Sequence, residues 1–193
     1  REALSFNLYA FGEPLAVELD LAVSRGYDDP LCDFMRSSRS HNMVVLDEEC
    51  IEATSNPIDL WAGQDVVWHT DDTIDYFSGW HRGYLRTKNA IVTRKILFVK
   101  PHFWLIHDRV SFQKPGCVKA SAWYLHSCQP FASRKEGWTT SGEKAGLDVI
   151  PVGLTKSAQF ESRLENRQDP DKMELDLLRN YHPVRYYMKL TQR

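Results

Sequence analysis

The sequence predicts an all-β fold, a two-layer antiparallel β-sandwich with long loops and at most short helices. Three observations lead to this prediction. Runs rich in β-branched and aromatic residues recur along the chain, turn-forming residues separate them at intervals of about 8 to 15 residues, and helical signals are few. Together these features are typical of a sandwich built from many short strands.

The predicted strands cover most of the chain. In chain order they are LSFNLYAF, LAVELDLAV, NMVVLD, IVTRKILFV, FWLIHDRVSF, VKASAWYLH, two strands within WTTSGEKAGLDVIPVGL, and VRYYMKLTQ. The first run ends at the turn Gly12-Glu13-Pro14, and Lys100-Pro101-His102 separates two runs that we expect to pair as a hairpin. Alternation in the second run places Glu18 and Asp20 on one strand face.

Helices are predicted only as short pieces. DDPLCDFMRSS and DKMELDLLRN each have a short helical pattern. Long loops are predicted near 21–41, 48–75 and 155–180, and no linker-like stretch divides the chain. We therefore expect one domain over residues 1–193.

Composition narrows the function classes. Of the 193 residues, 42% are hydrophobic and 12% aromatic, which is enough to build a core and argues against disorder. The net charge of -2 argues against a global nucleic-acid-binding or anionic-membrane-binding surface and leaves a local basic patch open. We expect no nucleic-acid or membrane partner, since no apolar run is long enough to span a membrane. The four cysteines lack the close spacing of a thiolate zinc site.

Three ordered segments carry a family resemblance. LSFNLYAFGEPLAVELD, YDDPLCDFMRSSRSHNMVVLD and RKILFVKPHFWLIHDRV resemble, in this order, the C-terminal β-sandwich of the heparinase II/III-like polysaccharide lyases. The resemblance covers about residues 1–128. It implies a supersandwich-like fold and a bacterial protein of the periplasm or the exterior. It also implies β-elimination on a uronic-acid-containing polysaccharide, of the heparin, heparan sulfate or alginate type.

The same resemblance implies that this chain is one part of a larger lyase. In the family, an N-terminal α/α-toroid domain supplies most of the catalytic groups, and we expect that domain to lie outside residues 1–193. We therefore expect the toroid and an acidic polysaccharide as partners, assign no catalytic residue here, and expect the isolated chain to be inactive.

A metal site is implied at two residues. Family members that carry a metal bind it through an acid after the Gly-x-Pro strand and the histidine of a His-Asn pair, which match Glu18 and His41. Zn²⁺ accepts such ligands, and the third is expected outside this chain, with Asp20 in reserve. The alternative is that Glu18 is solvated and His41 donates to a backbone carbonyl.

Six residues are candidates for substrate binding. Arginine forks suit carboxylates and sulfates, and aromatic rings stack on sugars. The candidates are Tyr27, Arg36, Arg39, Asn42, His81 and Tyr84. The alternatives are ion pairs in a solvated loop for the arginines and an ordinary alternating strand around His81 and Tyr84.

The main rival function belongs to another class. The chain would then be a non-catalytic carbohydrate-binding module, or a structural β-sandwich with no ligand. A binding module should recognise a defined sugar without any toroid domain, and a structural one should tolerate alanine at the candidate residues.

Overall fold

The computed structural model of the protein describes residues 3–18, 37–51, 63–153, 158–164 and 186–192. These residues fold into antiparallel strands with very little helix. They belong to two compact units. Unit 1 comprises Arg1–Leu4 and Glu49–Lys119, and unit 2 comprises Ser5–Glu48 and Ala120–Arg193.

Unit 1 contains one four-stranded meander. Its strands pair in sequence order, and the one helical turn described in this unit, α1 (Leu85–Lys88), follows the second strand. The strands are β4 (Gln64–Thr70), β5 (Ile74–Tyr84), β6 (Ala90–Val99) and β7 (Phe103–Phe112). Short turns join β4 to β5 and β6 to β7, whereas α1 and Asn89 join β5 to β6, so the four strands form successive hairpins.

Local hydrogen bonds fix the turns at one end of this meander. The Asp71 carboxylate accepts hydrogen bonds from the Thr73 and Ile74 N–H groups at 2.7 and 2.8 Å, which closes the β4–β5 turn. The Lys100 N–H donates to the Thr73 carbonyl at 2.9 Å, and His102 donates to Val99 at 2.6 Å. The predicted hairpin turn at Lys100–His102 is confirmed.

Unit 2 contains the remaining strands and a short 3-10 helix at Ser38–Ser40. The strands are β1 (Leu8–Ala10), β2 (Glu13–Ala16), β3 (Val44–Leu46), β8 (Ser121–Ser127), β9 (Ala132–Arg134), β10 (Gly137–Thr139), β11 (Asp148–Val149), β12 (Gln159–Leu164) and β13 (Tyr186–Gln192). They form a β1–β2 hairpin, a β11–β10–β9 sheet and a β12–β13–β8–β3 sheet.

The core of unit 2 lies on one face of β8. Leu125 of β8 is opposite Met188 of β13, and both are at most 2% exposed. Ala16 and Phe131 pack against them. Since side chains alternate along a strand, Tyr124 and His126 point to the other face of β8.

The all-β, antiparallel character is confirmed, but two predicted loops are partly wrong. β4 lies within the predicted 48–75 loop, and β12 lies within the predicted 155–180 loop. Among the described strands, both lie at the edge of their sheet. The two predicted helical segments fall largely or wholly outside the described residues.

None of the helices in the described part of the chain has the length and hydrophobicity needed to cross a lipid bilayer.

Candidate functional site

The candidate metal ligands meet in unit 2. His41 directly follows the 3-10 helix and precedes β3, whereas Glu18 lies two residues beyond the end of β2. The His41 Nδ1 atom lies 3.2 Å from Glu18 Oε2, and the two side chains are only 3% and 11% exposed. The expected proximity of these two residues is therefore observed.

Hydrogen bonds hold the Glu18 segment from both sides. The Asn42 backbone N–H donates to Glu18 Oε1 at 2.6 Å, so each carboxylate oxygen has a polar neighbour. The Glu18 N–H donates to the Asn7 side-chain oxygen at 2.9 Å. One residue earlier, the Val17 N–H donates to the His126 carbonyl at 3.0 Å. These hydrogen bonds orient the Glu18 carboxylate, so Glu18 is not simply a solvated residue.

Asn42 connects three chain segments around this pair. Its side chain is fully buried. Its amide nitrogen donates to the Phe6 carbonyl at 2.8 Å, and its amide oxygen accepts the His126 N–H at 2.7 Å. Since both ends of the amide bond to backbone groups, Asn42 is placed to position the Glu18–His41 pair. Its role in substrate binding stays a prediction.

An ion network on β8 and β13 was missed at the sequence level. Glu48 accepts a hydrogen bond from the Tyr124 hydroxyl at 2.6 Å and pairs with Lys189 at 2.5 Å. Partial burial raises the pKa of the Glu48 carboxyl, but these bonds and the charges of Lys189 and Arg39 outweigh it and lower that pKa. Arg39 is exposed. No sequence spacing links residues 48, 124 and 189, so only strand pairing could have revealed the network.

His81 and Tyr84 lie in unit 1 and are buried. Their exposed fractions are 1% and 0%. The His81 Nδ1 atom accepts the Gly83 N–H at 3.1 Å, and the Tyr84 hydroxyl donates to the Glu49 carbonyl at 2.9 Å. A Cβ atom at Gly83 would overlap the Ile51 side chain, so this close approach requires glycine.

The environment of His81 keeps its ring neutral at pH 7. Burial lowers the pKa of His81 to about 4, with a further lowering from the Arg94 charge and an opposing effect from Asp108. Substrate contact by His81 and Tyr84 stays a prediction, and their burial favours packing roles. Tyr27 and Arg36, the other two candidates, and the reserve ligand Asp20 lie outside the described residues.

Comparison with known families identifies the chain. A sequence model of the family described as "Heparinase II/III-like, C-terminal" matches residues 2–176. The chain belongs to this heparinase II/III-like C-terminal family. The resemblance expected from the three ordered segments is thereby confirmed.

Solved structures confirm the fold. Two structures of the "Heparinase III-BT4657 gene product", one of them with methylated lysines, align with 97% of this chain. Their TM-scores are 0.64 for the methylated form and 0.63 for the other, at 17% and 16% sequence identity. The chain spans 29% of the length of each. The predicted all-β sandwich class is therefore confirmed. A comparison with curated protein sequences gives no match.

The Glu18–His41 separation in this heparinase II/III-like domain is that of a hydrogen bond, and it is also compatible with two ligands of one zinc ion. Two ligand atoms about 2.1 Å from a tetrahedral zinc lie about 3.4 Å apart. The observed separation of 3.2 Å is close to that value. Within the described ranges, no group of three or more His, Cys, Asp and Glu side chains is arranged to hold a metal. Zinc binding by Glu18 and His41 therefore stays a prediction.

Proposed function

We propose that this chain is the C-terminal domain of a polysaccharide lyase that acts by β-elimination on a uronic-acid-containing polysaccharide of the heparin, heparan sulfate or alginate type. In this proposal the domain lines the substrate cleft and contributes Glu18 and His41 to a zinc site. The oriented, nearly buried Glu18–His41 pair is the observation that supports the proposal most strongly.

The chemistry requires more groups than this domain offers. β-Elimination needs a base for the C5 proton, neutralisation of the uronate carboxylate and an acid for the C4 oxygen. Glu18 and His41 contact each other, and Asn42 holds the carboxylate, which suits ligands better than a mobile base. We therefore assign the proton transfers to an N-terminal α/α-toroid domain. We expect the isolated chain to be inactive.

Zinc at this place would have a structural role. It would join the segment after β2 to the segment before β3, with the remaining ligands supplied from outside the described residues. The backbone of Asn42 and the side chain of Asn7 already fix the Glu18 segment, so His41 and Glu18 are oriented before any metal arrives.

Arg39 is the described residue best placed to contact an anionic sugar in unit 2. It is exposed on the 3-10 helix, two residues before His41. Its guanidinium suits a carboxylate or sulfate, and we propose the same contact for Arg36. For Tyr27 we propose that the ring stacks on a sugar.

Turnover measurements test this proposal. With heparin, heparan sulfate or alginate, we expect this chain alone to form no unsaturated uronate, followed by its ultraviolet absorbance. In a longer protein that joins the chain to an α/α-toroid domain, we expect turnover, and His41→Ala should reduce it at least about tenfold because the pocket loses a fixed ligand. Clear turnover by the isolated chain would contradict the proposal.

A further inference from the structure

The β5–β6–β7 part of unit 1 has one sheet face that carries exposed cations. Side chains on this face alternate with the buried ones along each strand. We call it the open face and define it by Trp80, Arg82, Thr93, Lys95, Leu97, Phe103, Leu105, His107 and Arg109. On the opposite face, His81, Val92 and Arg94 are buried.

Strand register brings three cations around Thr93. Trp80, Thr93 and Arg109 lie opposite one another across β5, β6 and β7. Lys95 lies two residues from Thr93 on β6, and Arg82 lies two residues from Trp80 on β5. Lys95 and Arg109 are diagonal neighbours on adjacent strands, about 7–8 Å apart, whereas Arg82 lies on the other side of Thr93, so the three cations are spread along the face.

The Arg82 guanidinium is held in place by an aromatic ring. Its central carbon lies 5.0 Å from the centroid of the Trp80 ring, within cation–π range. The Trp80 Nε1–H in turn donates to Asp65 at 2.7 Å, which fixes the indole. Arg82 is exposed, so its fork is oriented and still available to a ligand.

The other two cations have no acidic partner in the described part of the chain. There, no carboxylate forms an ion pair with Lys95 or Arg109, although both residues are exposed. The whole chain has a net charge of -2, so this face is locally basic on a slightly acidic protein. Such a patch attracts an anionic partner.

The same face continues as an apolar surface beyond the cations. Phe103 and Leu105 are 53% and 52% exposed, and Leu97 lies opposite Leu105. Flat apolar and aromatic side chains pack against the C–H faces of sugar rings, while the cations meet carboxylate or sulfate groups. A polymer of anionic sugars offers both kinds of group at once.

We propose that the open face of unit 1 binds a linear anionic polysaccharide through Arg82, Lys95 and Arg109. This surface uses none of the residues of the Glu18–His41 pair. The choice of a polysaccharide, rather than another polyanion, rests on the function proposed above.

Binding of a size-defined heparin oligosaccharide to the full chain tests the proposal. The variant Lys95→Ala/Arg109→Ala removes two exposed cations without touching the buried face. We expect its affinity to be about five- to tenfold lower at low salt, since an exposed charge pair contributes up to about a factor of five. The affinity difference should shrink as salt is added.

A matched control removes the same charge elsewhere. Lys135 and Lys144 are exposed in unit 2, so Lys135→Ala/Lys144→Ala should change the affinity less than about twofold. Single-stranded DNA of equal charge should bind at least about tenfold more weakly than the oligosaccharide. The proposal is overturned if the wild-type chain does not bind heparin, if both double variants lose equal affinity, or if the DNA binds as tightly.

The outcome is separable from that of the lyase proposal. The lyase proposal is tested by turnover and zinc content in variants of Glu18 and His41, whereas the open face is tested by heparin affinity in variants of other residues. A failure on the open face would leave the Glu18–His41 proposal intact, and a failure of that proposal would not alter the heparin affinities.

Discussion

At the level of single residues, one buried amide orders the candidate metal site. The Asn42 side chain bonds to the backbone at Phe6 and His126, while its N–H holds Glu18. An amide can satisfy such different neighbours because it has both donors and an acceptor. The sequence suggested Asn42 as a sugar contact because it stands beside His41. Its connecting role depends on segments far apart in the chain, which spacing does not reveal.

His81 should make the stability of the protein depend on pH. The unfolded chain protonates this histidine near pH 6.5, whereas burial delays protonation in the folded state to about pH 4. Between these values the unfolded state binds more protons, so the free energy of unfolding should fall as the pH falls. The expected loss is about 3 kcal/mol, measured by urea unfolding from pH 7 to pH 4.

The variant His81→Asn isolates this contribution, because asparagine offers an acceptor for the Gly83 N–H but does not titrate. We expect its free energy of unfolding to vary less between pH 6.5 and 4 than that of the wild type. His102→Asn, at an exposed position, should keep the wild-type dependence. An unchanged dependence in His81→Asn would show that another group is responsible.

At the level of elements, a bulge in β5 decides which residues face solvent. Strict alternation would place Trp80, Arg82 and Tyr84 on one face. The register shifts between His81, opposite Val92, and Tyr84, opposite Ala90, so His81 and Tyr84 both end on the buried face. Bulges have no reliable sequence signal here, and this explains why the candidates chosen from the sequence are buried while Trp80 and Arg82 face outward.

Strand prediction succeeded where strands lie inside a sheet or have long regular pairing. β7 coincides with the run FWLIHDRVSF, and β6 begins one residue before IVTRKILFV. β4 was missed because it buries little on either face, so its sequence lacks clear alternation, and β12 is, like β4, an edge strand among the described strands. The pattern of burial, rather than propensity, made the difference.

The β6–β7 pairing also contains a buried ion pair, and its two residues should show a large coupling energy in a double-mutant cycle. Arg94 lies opposite Asp108 and bonds to it twice, each at 2.7 Å, and its Nη1 donates to the Leu4 carbonyl at 2.6 Å. Arg94→Met should lower the free energy of unfolding by about 3–5 kcal/mol, because it leaves a nearly buried carboxylate unpaired. Arg94→Met/Asp108→Leu should be less destabilised than Arg94→Met, measured by denaturant unfolding.

An exposed pair provides the comparison for this double-mutant cycle. Arg134 on β9 and Asp148 on β11 also form an ion pair, with side chains 58% and 56% exposed. Its coupling energy should be no more than about 1 kcal/mol. Equal coupling energies for the two pairs would mean that burial does not strengthen the Arg94–Asp108 interaction.

At the level of the whole molecule, the chain is a heparinase II/III-like C-terminal domain with two compact units. Family resemblance, rather than composition or periodicity, suggested that Glu18 and His41 meet, and the structure places them 3.2 Å apart. The spacing of strand-like runs, rather than composition, correctly indicated an all-β protein. The third metal ligand could not be predicted from this sequence, because the resemblance places it outside the chain.

Zinc binding measured on the purified chain tests the central claim most directly. Equilibrium dialysis with metal analysis should show weak binding that approaches one zinc ion per chain and is lost in His41→Ala and in Glu18→Gln. His69→Ala is the matched control, because His69 and Asp71 form an exposed pair 3.0 Å apart that has no such buried setting. The account predicts that this control still binds zinc. Zinc binding that survives His41→Ala, or no zinc binding at all, would contradict it.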